Sequence, residues 1–162
     1  VQLANFGPMR NEPVDSAWAA LREAQRRTAA ADPDAGLAVA TDVGDPRATH
    51  PTDKKSVGLR LAQVREGADN AQLPAVARAG NKVQLTFDHP LQVIGGTGPV
   101  GFEACAASGC RFTAARLADP STLLIDAGPG DVRIRYLWAD SPIANLYDRE
   151  GLPVAPFETA LP

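Results

Sequence analysis

The pattern of the sequence changes near residues 67–73, and this change constrains the fold more than any other feature. Before it, apolar stretches of strand length alternate with stretches of helical periodicity, which is typical of an α/β unit with a parallel sheet. After it, short alternating segments follow one another with turns between them, which is typical of an all-β module. We therefore predict two partial modules, residues 1–68 and residues 69–162.

The first module is expected to contain two strands and two helices. Two short apolar stretches are of the buried-strand type: residues 1–6 and 37–41. One helix is predicted after an N-cap at Asp15 or Ser16, and a second from about Thr52 to a stop at Gly67. Ligands of parallel sheets bind beyond the carboxyl ends of the strands, which is where residues 42–50 fall.

The second module is expected to consist of strands and hairpins, as in a sandwich-like fold. Five segments are predicted as strands: residues 82–87, 102–105, 110–114, 122–126 and 131–138. Cys105 and Cys110 flank a four-residue turn, where facing positions come within disulfide range. A disulfide, which would imply an oxidising compartment, and two unpaired buried thiols both remain possible at this stage.

The composition excludes several classes of protein. The chain has 16 Lys and Arg against 19 Asp and Glu, a net charge of -3, and no basic cluster, so nucleic-acid binding is not expected. It contains no run of about 18 apolar residues, so no membrane span is predicted. Two cysteines cannot form a four-cysteine zinc site.

The two histidines are the main candidates for chemistry. His50 follows a buried-type strand in a loop that also contains Asp45, which suits a general base but equally suits a surface histidine. His89 lies in a turn, and a metal site would require both histidines to converge from different modules. None of the serines lies in a nucleophile motif with flanking glycines.

The chain begins at Val1, inside a stretch that has the composition of a core strand. No basic or apolar leader precedes this stretch. We therefore expect the chain to be a fragment of a longer protein.

Taken together, the residues resemble the sialate O-acetylesterase family, the carbohydrate esterases of the SGNH-hydrolase superfamily. The resemblance covers nearly the whole chain and follows the C-terminal portion of these enzymes. The segments that carry it are residues 1–6, 18–25, 42–62, 101–103, 135–147 and 151–157.

The resemblance implies the end of a flavodoxin-like three-layer α/β domain, followed by the β-rich module. It also implies hydrolysis of O-acetyl esters on sugars without a cofactor. The serine of this family lies on a Gly-Gln-Ser-Asn motif that the chain lacks, so the expected partners are the N-terminal half carrying that serine and an acetylated glycan. The triad histidine maps onto His50.

The acidic member of the triad is where this sequence departs from the family. The superfamily places an aspartate three residues before the histidine, and this chain has Arg47 there. Asp45 is the preferred substitute and Asp42 the second. A dyad oriented by the Arg47 carbonyl is the third possibility, although a carbonyl supplies no charge to stabilise imidazolium.

Two questions stay open at the level of sequence. The acetylated sugar is either a sialic acid or a plant polysaccharide such as xylan or xyloglucan, and the expected location is periplasmic or secreted. As an alternative function, the chain could be a non-catalytic carbohydrate-binding module that uses Tyr136, Trp138 and Tyr147, unless those rings fill the core.

Overall fold

The structure is a computed structural model that describes residues 1–73 and 75–162. Two helices come first, α1 (Ala17–Ala31) and α2 (Lys54–Arg65). Ten strands follow: β1 (Ala75–Ala79), β2 (Lys82–Thr86), β3 (Leu91–Val93), β4 (Phe102–Ala106), β5 (Gly109–Phe112), β6 (Ala115–Asp119), β7 (Thr122–Asp126), β8 (Asp131–Tyr136), β9 (Leu146–Asp148) and β10 (Phe157–Ala160). Neither of these two helices is long and apolar enough to cross a bilayer.

The strands form two antiparallel four-stranded sheets and a small ribbon. The order in the first sheet is β1-β2-β7-β6, the order in the second is β10-β8-β4-β5, and β3 pairs with β9. Alternate residues of both large sheets share one buried apolar cluster, which contains Leu85 and Ile125 from the first sheet and Phe102, Ile134 and Tyr136 from the second. This arrangement follows from the period-2 alternation of each strand, which gives each sheet one apolar face.

The β4–β5 hairpin is closed by a disulfide between Cys105 and Cys110. The two residues are register partners, with their Cα atoms 4.0 Å apart. Of the two possibilities left open by the sequence, the disulfide is the one that the structure contains.

The expectation of a flavodoxin-like three-layer α/β domain of the SGNH type is wrong. The structure is mainly antiparallel β-sheet, and the segments at residues 1–6 and 37–41 are extended without forming strands. They share a single backbone hydrogen bond, from Gln2 N–H to the Ala38 carbonyl at 2.9 Å. A parallel sheet requires a ladder of such bonds, whereas antiparallel strands joined by short turns can build their ladders locally.

Arg22 of α1 is one of the links between residues 1–73 and the sandwich. Its fully buried guanidinium donates to the carbonyls of Leu3, Ala4, Ala139 and Asp140, at 2.7 to 3.0 Å. Burial lowers the pKa of Arg22 to about 10, an effect that the nearby Asp140 partly opposes, so the group is charged at neutral pH.

The helices begin close to where the sequence places them, but their buried faces differ from the expected ones. Ser16 caps α1 by accepting the N–H of Ala19 at 3.0 Å, as predicted. Packed helices usually bury an apolar face, but the structure leaves Leu21 half exposed while it buries Arg22 and Glu23. In α2 no residue is fully buried.

Candidate active site

Asp42, at the start of the loop that contains His50, is held by an ion pair with α2. Arg60 donates to both carboxylate oxygens, at 2.6 and 2.7 Å, and also to the carbonyl of Val39 at 2.9 Å. The hydroxyl of Tyr147 donates to the same carboxylate at 3.2 Å. Both oxygens of Asp42 are therefore already occupied.

The ionisation of this cluster follows from its geometry. Burial alone would lower the pKa of Arg60, but the hydrogen bonds and charge of Asp42 outweigh it and hold the pKa above its usual value. Burial and the neighbouring carboxylate together raise the pKa of Tyr147 to about 12. At neutral pH the cluster is an ion pair with a neutral phenol attached.

The loop itself is built around Asp45. Its Oδ1 accepts the N–H of Arg47 at 2.8 Å, and its carbonyl accepts the N–H of Ala48 at 3.2 Å, which closes a tight turn. The carbonyl of Pro46 accepts the N–H of Gly7 at 3.0 Å, so the turn is also tied to the N-terminal segment. The Asp45 side chain thus stabilises the loop through one oxygen.

Gly44 lets the loop approach the N-terminal segment closely. A Cβ atom at this position would lie 2.2 Å from the backbone nitrogen of Asn5 and 2.4 Å from its oxygen. Backbone atoms cannot move aside as a flexible side chain can, so only glycine fits here.

His50 lies at the surface between this turn and the N-terminus of α2. Its side chain is exposed, the next residue, Pro51, is buried, and Asp53 caps α2 by accepting the N–H of Ser56 at 3.0 Å. Within residues 1–73 and 75–162, the imidazole makes no hydrogen bond or ion pair, and in particular none to Asp42 or Asp45. An exposed imidazole without a partner is free to accept a proton from a group brought to it.

His89, the other histidine, has a different setting. Its Nδ1 lies 2.8 Å from Oδ1 of Asp88, and both side chains are more than one-third exposed. The hydrogen bond to Asp88 raises the pKa of His89 above its usual value. The structure thus places the two histidines in unlike surroundings, one paired with a carboxylate and one not.

The outer face of the second sheet carries a buried carboxylate that the sequence did not reveal. Glu103 is 1% exposed, and its Oε2 has no hydrogen-bond partner among the described residues. Burial raises its pKa to about 7, although Arg135 partly opposes this shift. The sulfur atoms near this carboxylate belong to Cys105 and Cys110, which cannot act as thiolate ligands of a metal because they are bonded to each other.

The three aromatic residues considered for sugar stacking do not share one surface. Tyr136 is fully buried in the core. Trp138 is 8% exposed and carries the guanidinium of Arg135 over its ring at 4.6 Å. Tyr147 belongs to the cluster with Asp42.

Comparisons with solved structures give an informative match. Neither a protein-family model nor a curated protein sequence matches this chain. Among solved structures, the chain is similar to a novel carbohydrate acetylesterase from Xanthomonas citri, with 35% identity and a TM-score of 0.83. The match covers 98% of this chain and 40% of the acetylesterase, so the chain spans two-fifths of the protein that it resembles.

Proposed function

We propose that the chain is the histidine-bearing part of a carbohydrate O-acetylesterase, a serine hydrolase that removes acetyl groups from sugars. The observation that carries this proposal is the 35% identity to a carbohydrate acetylesterase over nearly the whole chain. The exposed and unpartnered imidazole of His50 supports it, because a general base has to be reachable by the nucleophile.

The nucleophilic serine is supplied by the N-terminal half of the same enzyme, and the second partner is an acetylated glycan. The match to only 40% of the acetylesterase supports this division of the enzyme. Three serines of this chain donate structural hydrogen bonds. Ser16 donates to the carboxylate of Asp140, Ser141 donates to the carbonyl of Gly7, and Ser56 donates to the carboxylate of the cap residue Asp53.

In the proposed reaction, His50 removes the serine proton while the serine oxygen bonds to the acetyl carbon. The tetrahedral intermediate collapses as His50 returns that proton to the departing sugar oxygen, which leaves an acetyl-serine. A water molecule then attacks the acetyl carbon with His50 as its base, and acetate leaves as the serine regains its proton. No cofactor enters these steps.

Asp45 is the preferred carboxylate for orienting the imidazole. Its Oδ2 makes no hydrogen bond within the described parts of the chain, whereas both oxygens of Asp42 are bound to Arg60. A carboxylate on Nδ1 fixes the tautomer and stabilises the imidazolium ion, and this is the role that we propose for Asp45 in the complete enzyme.

The disulfide supports a periplasmic or secreted location, because such bonds persist in oxidising compartments. We keep both a sialic acid and a plant polysaccharide as candidate acetylated sugars. Acetate release from O-acetylated sialic acid, compared with release from acetylated xylan and xyloglucan, distinguishes them.

The test uses the polypeptide that joins this chain to its serine-bearing half. His50→Ala should lower kcat for a small acetyl ester by at least about a thousandfold. Asp45→Asn should lower kcat by at least about tenfold, and Asp42→Asn should chiefly reduce stability. The control is His89→Ala, which removes the other histidine and should leave turnover unchanged.

Turnover close to that of the wild type in His50→Ala would refute the assignment of the base. An equal loss of activity in His50→Ala and His89→Ala would show a general effect of histidine removal and would also refute it.

A further inference from the structure

A cleft of about 530 Å³ opens on the sandwich, at the end where the N-terminal segment crosses it. Its walls come from the second half of the chain, residues 97–103, 112–115, 137–139 and 141–143, together with Met9 and Arg10. The volume lies within the range of about 300 to 1,000 Å³ that is usual for small-molecule sites. None of its lining residues belongs to the 42–50 loop.

The cleft collects apolar side chains that the fold leaves exposed. Ten large apolar side chains are exposed among the described residues, and four of them line this cleft: Met9, Val100, Phe112 and Ile143. Scattered exposed apolar residues are normal, but a concave cluster of them marks a binding site.

Phe112 is the aromatic element of this surface. Phe112 in β5 is the register partner of Glu103 in β4. Phe102 faces the core, so the next residue, Glu103, faces the outside of the sheet, and Phe112 lies on that same outer face. The ring of Phe112 is 48% exposed, whereas Trp138, in the same cleft, is largely covered. An exposed ring in a cleft offers the flat apolar face on which the C–H groups of a sugar can stack.

The polar groups of the cleft favour an uncharged ligand. Among the described residues that line the cleft, Arg10 is the one exposed charged side chain, and a single guanidinium screened by solvent adds little attraction for an anion. Arg10 and Thr97 are exposed and can hydrogen-bond hydroxyl groups.

The floor of the cleft is fixed before any ligand arrives. Leu137 has a left-handed backbone with φ of 52°, and its N–H donates to the carbonyl of Gly101 at 2.8 Å. A Cβ atom on Gly101, whose φ is 84°, would lie 2.5 Å from Cδ2 of Leu137. Such a constrained floor lowers the entropy that binding has to overcome.

We propose that this cleft binds an uncharged saccharide, which stacks on the ring of Phe112 while Arg10 and Thr97 hydrogen-bond its hydroxyl groups. The identity of the ligand as a sugar rests on the proposed function, which this inference deepens by adding a glycan site separate from His50. The bond between Gly7 and Pro46 ties the loop of His50 to the chain just before Met9 and Arg10, so the site holds the glycan beside that loop.

The experiment is an NMR titration of the 162-residue chain with neutral xylan and xyloglucan oligosaccharides, with N-acetylneuraminic acid as the charged comparison. We expect shift changes at Phe112 and at the Trp138 indole N–H. Phe112→Ala should weaken binding by about fivefold, since an aromatic contact contributes that order of affinity.

A matched pair of isoleucines provides the control. Ile143 lines the cleft and Ile94 does not, and both are more than half exposed. Ile143→Ala should weaken binding by about two- to threefold because it removes apolar contact area, and Ile94→Ala should leave binding unchanged. If Phe112→Ala proves unfolded by circular dichroism, Phe112→Leu keeps an apolar side chain while it removes the ring.

Several results would overturn the proposal. The first is the absence of binding at about 10 mM oligosaccharide, a concentration on the order of the weakest affinities that are meaningful for such a site. The second is an equal effect of the two isoleucine variants on binding. The third is tighter binding of N-acetylneuraminic acid than of the neutral sugars. The titration requires no hydrolysis, so binding without esterase activity in the joined polypeptide refutes only the proposed function. Hydrolysis without binding to this chain refutes only the cleft.

Discussion

The two halves of the molecule are stabilised by different interactions. In the sandwich, large apolar side chains such as Leu85, Ile134 and Tyr136 fill the space between two sheets. Among residues 1–73, all of which the structure describes, the buried apolar side chains are alanines, Val39 and Pro51. The buried groups there include Gln2, Arg22 and Asn70, whose side chains donate hydrogen bonds to backbone carbonyls.

This contrast shows what each half requires of its sequence. An apolar core tolerates exchange of side chains of similar volume, because the hydrophobic effect has no direction. Hydrogen bonds to four carbonyls need a donor of one shape in one place, and leaving those acceptors unpaired is costly. The first half should therefore be the more sensitive to single polar substitutions.

The largest expected effect is that of Arg22→Ala, which should destabilise the protein by about 3 to 5 kcal/mol because four buried carbonyls lose a charged donor. Hydrogen exchange should show loss of protection in α1 while β2 and β7 remain protected. Arg22→Lys keeps the charge but has fewer donors, so it should fall between the wild type and the alanine variant. Uniform loss of protection in both halves would contradict the contrast drawn above.

The second prediction concerns Glu103, whose pKa is raised from its ordinary value of 4.5 to about 7. The folded state binds the proton of the Glu103 carboxyl group more tightly than the unfolded state does. The contribution of this group to the free energy of unfolding is therefore fully present below pH 4.5 and is lost as the pH rises through 7. Urea unfolding should show a loss of about 3 kcal/mol between pH 4.5 and pH 8.5 from this group. Glu103→Gln should remove that loss and be the more stable protein at pH 8.5.

Glu12→Gln is the control for this pH dependence. Glu12 is exposed, so this variant removes one carboxyl group from the surface and leaves the buried carboxyl group in place. If the stability of both variants depends on pH as that of the wild type does, Glu103 is not the group that causes the loss of stability.

The third prediction concerns the disulfide of the β4–β5 hairpin. Replacing Cys105 and Cys110 together by alanine should cost about 2 kcal/mol, a modest value because the closed loop is short. The loss should be measurable by urea unfolding and should be matched by the wild type in a reducing agent. A loss above about 4 kcal/mol would mean that the bond supports more than its own hairpin.

The smallest effect is expected at Leu59 of α2, which is 57% exposed. Leu59→Ala should change the free energy of unfolding by less than about 0.5 kcal/mol. Leu85→Ala, the same substitution in the core, should cost about 3 kcal/mol because it leaves a cavity. A cost above about 1.5 kcal/mol at Leu59 would show that α2 is covered in solution, and the molar mass of the protein would then have to be measured.

The sequence predicted the local features of the second half well. The alternation in residues 82–87 predicted β2, because period-2 patterning is a property of neighbouring residues alone, and the apolar segment at residues 122–126 predicted β7. The strand predicted over residues 131–138 in fact ends at Tyr136, so Trp138 lies outside it. Strand ends depend on partner strands, which the local pattern does not describe.

The first half was less predictable, for a physical reason. The apolar stretch at residues 37–41 is buried as expected, but burial does not specify a parallel ladder. The partners of Asp42 lie 18 and 105 residues away, at Arg60 and Tyr147, and no spacing rule connects them. The roles of His50 and Asp45 remain predictions, and the joined polypeptide is the place to test them.

The close approach of Gly44 to Asn5 determines how this region can be varied by mutation. Position 44 admits one residue only, so a library that randomises the loop should hold it fixed. Arg47 and Thr49 are exposed and can be varied freely. A wider loop would require a compensating change in residues 1–6, which means that the beginning of the chain and the loop of His50 must evolve together.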